Sequence, residues 1–376
     1  MKRLIKKGLF LTACTLATSQ AFAIMNPAAK YCEILGYEYV IEKDSTGAEF
    51  GTCILPDGSK VDAWDFYTGK VKQEYSYCAK YGYNTEIRAT KMLGDTLDCL
   101  YCTKAKGLRS AEDVSVEDLM KANGDYIEEV QFDAEEDFHK PSLRSKLSGI
   151  EIVPNLPETY DSRSFDLIGG IKNQGSCGSC YAFAAAACTE ISYNRFSGSH
   201  GSNKKVLSES FMVWCLSDGV DLAQCNGMRL RGDRNVALQK VNEDGLCENS
   251  YFPYTIEQPE YCTHWNDPNV KVKDYGFIYN ATNDQIKSAI YKYGAAYLIV
   301  DGNGCGRHSF VTIESNVYNH AVVAVGWVKL TNGKEYWIIR NSWGTSSGFD
   351  GYDYLKINAH TNRYVSYLIP TDVSLS

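Results

Sequence analysis

The chain has 376 residues, 44% hydrophobic and 22% charged, enough to bury a core in each of about two or three domains. Its formal charge is −8, from 46 acidic and 38 basic side chains. A surface of that sign repels phosphate backbones and anionic lipid, which argues against nucleic acid or a membrane surface as partner.

Residues 1–23 read as a secretory signal. Lys2, Arg3, Lys6 and Lys7 form a basic start, Leu9 to Ala17 a short apolar stretch, and Ala21-Phe22-Ala23 a small-x-small cleavage site. Leu11-Thr12-Ala13-Cys14 also reads as a lipoprotein cleavage box, but its apolar lead-in is short and cleavage after Ala23 is preferred. No later run is long enough to span a bilayer, so no membrane insertion is expected. The segment carries four basic residues and no acids, so its loss moves the charge to −12. A secreted or periplasmic protein is expected. Thirteen cysteines remain, twelve if Cys180 is kept as a thiol, and outside the cytosol such an even set predicts disulfides.

Residues 24–103 hold a repeat, with units at about 26–74 and 75–103. Tyr31-Cys32-Glu33-Ile34-Leu35-Gly36-Tyr37 recurs as Tyr77-Cys78-Ala79-Lys80-Tyr81-Gly82-Tyr83. A cysteine follows 21 residues after the first in both, which predicts Cys32–Cys53 and Cys78–Cys99 bridges stabilising units too small for a large core. The first unit resembles a small bacterial domain of unknown function found in haemolysin-like lipoproteins. Asn26-Pro27-Ala28 with Tyr31-Cys32, Gly51-Thr52-Cys53 with Leu55-Pro56-Asp57-Gly58, and Trp64-Asp65-Phe66 with Gly69 carry the resemblance. It implies no secure activity.

Residues 104–155 are charged and lack further cysteines. Glu112 to Ala122 can form a helix with Ser115 as N-cap and Asp118 three residues on. Acidic residues cluster between Glu128 and Asp137. The segment is expected to be a linker or a pro-segment with an inhibitory role.

Residues 156–376 contain the run Gln174-Gly175-Ser176-Cys177-Gly178-Ser179-Cys180-Tyr181, then Asn319-His320-Ala321-Val322 and Arg340-Asn341-Ser342-Trp343-Gly344. The alanines of Tyr181 to Ala187 favour a buried helix beginning at Cys180. Tyr297 to Val300, Ala321 to Val325 and Tyr336 to Ile339 read as strands. The cysteine, the histidine 140 residues on and the asparagine 161 residues on resemble the papain-like cysteine protease family. Leu156-Pro157-Glu158-Thr159-Tyr160-Asp161-Ser162-Arg163 is similar to that family's opening segment. The resemblance covers the whole third zone and implies an α+β fold, with a helical lobe holding the cysteine and a β-barrel-like lobe holding the histidine.

A thiol at a helix N-terminus beside an imidazolium becomes a thiolate, whose natural electrophile is a peptide carbonyl. The expected catalytic set is Cys180 as nucleophile, His320 as acid and base, Asn341 orienting the ring, and Gln174 donating to the oxyanion with the Cys180 N–H. His308 is the nearest rival to His320. Trp343 is expected to shield the His320–Asn341 bond, as the matching tryptophan does in the family. The resemblance further implies Cys177–Cys225 and Cys215–Cys262 bridges, leaving Cys102, Cys188, Cys247 and Cys305 with three possible pairings. It places Gly227 and Met228 along the substrate, where Met228 stands in place of a glycine and is expected to narrow the cleft. Tyr318 and Ile299 are expected as walls of the main specificity pocket.

The sequence therefore points to an exported cysteine endopeptidase acting on peptide or protein substrates, with no metal and no organic cofactor and with its oligomeric state open. Two other readings stand beside it: a non-hydrolytic papain-fold binding module, and N-terminal repeats that bind an envelope or host surface.

Overall fold

The computed structural model describes residues 24–92, 95–103, 113–125, 150–219, 222–228, 235–262, 270–307 and 310–370. The expected signal segment, the acidic cluster and His308 lie outside these residues. No helix among the described residues is long and apolar enough to cross a membrane.

The first small unit begins with a helix at Pro27–Ile34. Pro27 opens it and Asn26 caps it by accepting from the Ala28 N–H. Strands β1 (Glu38–Lys43), β2 (Glu49–Ile54) and β3 (Lys60–Asp62) follow as an antiparallel meander. A short helix at Ala63–Tyr67, capped by Asp62, closes the unit. A Cys32–Cys53 disulfide ties the first helix to β2.

The second unit repeats this plan. A helix at Tyr77–Lys80 leads into β4 (Asn84–Met92), β5 (Asp95–Thr103) and β6 (Val114–Ser115), then a helix at Val116–Ala122. Ser115 caps that helix by accepting from the Asp118 N–H. Residues 113–125 therefore complete the second unit, where a linker starting at 104 was expected.

The expected Cys78–Cys99 bridge is not formed; Cys78 is bonded to Cys102. In the first unit Cys53 stands opposite Tyr39, and in the second Cys102 stands opposite Thr85, the residue equivalent to Tyr39 within the repeat. The second hairpin is longer, so the same spatial bridge spans 24 residues instead of 21. Cys99 is an odd number of residues from Cys102 on one strand, so it faces the other way. Its sulfur meets Arg307 Nη1 at 3.5 Å.

In the third zone β7 (Tyr160–Asp161), β8 (Val272–Tyr279), β9 (Ala296–Val300), β10 (Phe310–Val311), β11 (His320–Lys329), β12 (Glu335–Arg340), β13 (Tyr352–Lys356) and β14 (Tyr364–Pro370) form one sheet. Its order is β10-β13-β12-β11-β9-β14-β8, with β7 beside β11. Gly326 permits that last pairing, because a Cβ there meets the Tyr160 carbonyl oxygen at 2.2 Å. The Cys180–Ser197 helix packs on β11 and β14. Its alanines are buried almost all round, as expected of a helix with no charged residue in its first two turns.

Two apolar clusters fill the molecule. One joins the helical lobe to the inner face of β9 and β11 and includes Cys180, Met228, Ile299 and Tyr318. The other joins the opposite face of the sheet to both small units, from Tyr31 and Trp64 to Trp343 and Leu355. The small units thus share a core with the β lobe.

Cys177–Cys225 and Cys215–Cys262 are also bonded. Among the described residues eight cysteines are bridged, fewer than the twelve expected; Cys188 and Cys305 are buried and unbridged.

Candidate active site

Cys180 is the first residue of its 18-residue helix, with its thiol at the positive end of the helix dipole. His320 is the first residue of β11. Antiparallel pairing sets His320 opposite Val300 and Ala321 opposite Ile299. The Ala321 backbone, next to His320, is among the groups that pull the Cys180 thiol down against its burial, so the start of the helix lies by the start of the strand.

His320 Nε2 and Asn341 Oδ1 are 2.9 Å apart. The Trp343 indole stacks over His320 at 4.4 Å between ring centres and 19° between planes, and it is fully buried. The other ring nitrogen, Nδ1, is buried with no hydrogen-bond partner among the described residues, which leaves it to exchange a proton. Asn341 Nδ2 donates to Asp353 Oδ2 at 2.8 Å, and Asp353 Oδ1 accepts from the Gly306 N–H at 2.8 Å. The asparagine amide is held at both ends, so its oxygen is presented to the ring.

Gln174 is fixed in the same manner. Its Oε1 accepts from the Ser342 hydroxyl at 2.6 Å, and its backbone N–H donates to the Ser342 carbonyl at 2.8 Å. Its Nε2 donates to the carbonyls of Cys177 at 2.8 Å and Ile24 at 2.9 Å. The segment leading to Gln174 is anchored by Lys172, whose ammonium meets Glu209 at 2.6 Å, Glu190 at 3.3 Å and the Leu207 carbonyl at 2.9 Å. Burial pushes the Glu209 carboxyl up to about 7 against the pull of Lys172.

Cys180, His320 and Gln174 are all fully buried. Burial pushes the Cys180 thiol up to about 11, although the backbone groups of Ala321 and Ile24 oppose it. Burial likewise holds His320 down to about 4, opposed by the bond to Asn341. In this closed form the neutral thiol and neutral imidazole prevail over the ion pair expected from the helix dipole. Desolvation outweighs the dipole.

The Met228 side chain is fully buried in the apolar cluster that includes Cys180, with Sδ accepting from the Ala237 N–H at 3.3 Å. Gly227 before it has φ +95, which a side chain strains to adopt. Tyr318 and Ile299 join the apolar cluster of Cys180, and Tyr318 packs edge-on against Tyr364 at 4.7 Å.

The sequence reading missed Asp353, Ser342 and Ile24. Asp353 alone left a trace: an acid at a core-facing place in the alternation of β13. Among the described residues no cluster of His, Cys, Asp and Glu is arranged to hold a metal ion.

Residues 156–369 match the model of the papain family cysteine proteases. The chain belongs to that family. A cysteine protease of Blomia tropicalis is 32% identical over 235 residues, covering 58% of this chain and 67% of its own. Cathepsin L of Sarcophaga peregrina is 29% identical over 226 residues, covering 56% and 62%. A solved structure from the comparison of mite allergens Blo t 1 and Der p 1 has a TM-score of 0.50 at 26% identity, covering 59% of this chain and 75% of that one. The ragweed pollen protease Amb a 11 in its proform shares the fold, with a TM-score of 0.51 at 22% identity over 59% and 69%. Residues 23–70 match DUF333, a domain of unknown function. The protein is a cysteine endopeptidase with that domain at its front.

Proposed function

We propose that the peptidase is exported and cleaves protein substrates through Cys180. His320 Nδ1 takes the thiol proton, and the sulfur attacks the scissile carbonyl. The oxyanion is held by Gln174 Nε2 and the Cys180 N–H. Collapse breaks the C–N bond as His320 returns the proton to the leaving amine, leaving a thioester. Water, deprotonated by His320, attacks the thioester and releases the acid and the thiol. Asn341 keeps the ring oriented throughout, and none of these steps needs a metal or organic cofactor. Gly227, Tyr318 and Ile299 line the acyl side of the cleft, with Trp343 on the leaving-group side.

The observation that carries the reading is the His320–Asn341 bond under the Trp343 ring, beside a cysteine that opens a buried helix. A pure binding module has no need of that set. Export is supported by the basic-apolar start of the chain and by four disulfides. The test is labelling by an epoxysuccinyl thiol-protease probe, with the N-terminal units removed after folding. Labelling at Cys180, lost in Cys180→Ala and in His320→Ala, is expected. A folded, reduced enzyme that never labels sinks the assignment. N-terminal sequencing of exported protein should begin at Ile24.

A further inference from the structure

The cleft is not empty. Ile24 lies in it, with its carbonyl on Gln174 Nε2 at 2.9 Å, the donor assigned above to the oxyanion. The Ile24 backbone is among the groups that pull the Cys180 thiol down against its burial. Its Cγ2 packs so close to Gly302 that a Cβ there meets it at 3.1 Å, beside the His320 Cβ at 2.8 Å. Two residues on, the Asn26 N–H donates to the Gly175 carbonyl at 3.1 Å, so the segment runs along the Gln174 loop as a bound peptide does.

The folded part of the first unit holds this segment in place. Asn26 is fully buried, and its Nδ2 donates to Asn173 Oδ1 at 3.1 Å and the Trp343 carbonyl at 3.2 Å. Trp64 Nε1 donates to the same carbonyl at 3.2 Å, and its ring lies 5.9 Å from that of Trp343. Glu49 accepts from the Asn173 N–H at 2.8 Å through its carboxylate and from the Thr345 N–H at 2.8 Å through its carbonyl. The Tyr39 hydroxyl accepts from Asn173 Nδ2 at 2.8 Å. These partners sit on the two loops that carry Gln174 and Trp343. Buried polar groups satisfied across a boundary mark a built interface.

We infer that the DUF333 unit is a cysteine-peptidase inhibitor, a function for the domain of unknown function, and that it seats Ile24 in the oxyanion site while Trp64 covers Trp343. The inference rests on the peptidase reading above. Its partner is a papain-type cleft, here the one in the same chain. Asn26 and Trp64, which touch the cleft, are among the residues that carry the unit's resemblance to its family. The expected inhibitory role thus passes from residues 104–155 to residues 24–70. Residues 113–125 contact the peptidase through the Glu117–Arg307 ion pair. Inhibition follows from the geometry: the oxyanion donor is occupied, water is excluded, and the thiol is covered.

The test uses the whole chain from Ile24 and reads the rate at which the epoxysuccinyl probe labels Cys180. Trp64→Ala and Asn26→Ala each remove contacts to the Trp343 carbonyl and should label at least tenfold faster than wild type. Tyr39→Phe, which deletes one hydroxyl and preserves the fold, should give a smaller rise. A third arm places a cleavage site between residues 126 and 149 and cuts it after folding, so the units can leave; labelling should then be fastest. Equal rates in every form overturn the inhibitor assignment and leave the peptidase reading intact. Absence of label even in the cut chain overturns the peptidase reading itself. Rapid cutting of the Ile24–Met25 bond in wild type, seen by intact mass, makes the segment a substrate and also overturns the inference.

Discussion

Asp353 sits behind Asn341 and binds one end of its amide, while His320 binds the other. The carboxylate is 1% exposed and has two donors, the amide of Asn341 and the backbone of Gly306. It is the acceptor that holds the amide's nitrogen, while the amide's oxygen also accepts from the Ser342 N–H at 2.7 Å. Asp353→Leu should therefore lower kcat of the uncovered enzyme roughly 10- to 100-fold, the scale of a hydrogen bond to a charged group. KM should change little, because no substrate contact is lost. Asp353→Asn, which retains an acceptor, should recover much of the rate in steady-state assays. Equal loss in both variants speaks against a positioning role.

The same carboxyl predicts a pH dependence of stability. Burial pushes Asp353 up to about 6 from an ordinary 3.8, against its two hydrogen bonds. The folded state holds that proton more tightly, so the contribution is full below about pH 4 and is lost as pH rises through about 6. Its size is about 3 kcal/mol at most. Denaturant unfolding at pH 4 to 7 should show a steeper fall in wild type than in Asp353→Asn.

His320 should stay neutral in the intact chain. Its depressed value, down to about 4, gives a contribution to stability that is present above about pH 6.5 and lost as pH falls through about 4. Nitrogen-15 histidine spectra of the full chain at pH 6 should show a neutral ring, with His320→Ala giving the assignment. The cut chain, its cleft open to water, should instead show an imidazolium. A charged ring in the covered form contradicts the desolvation account.

The second unit depends on Cys102 and not on Cys99 for its cross-link. Non-reducing peptide mapping should recover Cys78 with Cys102. Cys102→Ala should cost about 2–4 kcal/mol in stability, and Cys99→Ala should leave the bridge in place.

Lys172 neutralises a buried acidic pair at the root of the Gln174 loop. Lys172→Met leaves Glu190 and Glu209 facing each other without that cation and should cost about 3–5 kcal/mol. Thermal melting at pH 7 checks the loss. Lowering the pH toward 5 should restore part of it, because Glu209 then becomes protonated.

Local chemistry made much of this fold legible. The alanine run after Cys180 gave its helix, Ser115 and Asp118 gave a cap, and β-branched runs gave β9, β11 and β12. The site residues were marked by their resemblance to a family motif; His320 contacts both Asn341 and Trp343, and Gln174 joins them through Ser342. Contacts set by hairpin length or distant pairing left no such mark. Cys102 displaced Cys99 because the second hairpin is longer than the first. The Met228 sulfur accepts from the N–H of Ala237 in the following helix, a contact that no local pattern announces. Asn26 meets the Trp343 carbonyl across 317 residues, and no periodicity encodes that contact.

The segment seated on the thiol precedes it by 156 residues, while the imidazole follows the thiol by 140. On a growing or translocating chain the cover is thus made first, the sulfur second and its base last. The Cys32–Cys53 clasp can close before the histidine strand exists. At no stage of its own biogenesis does this polypeptide carry a complete catalytic pair without the stopper already attached.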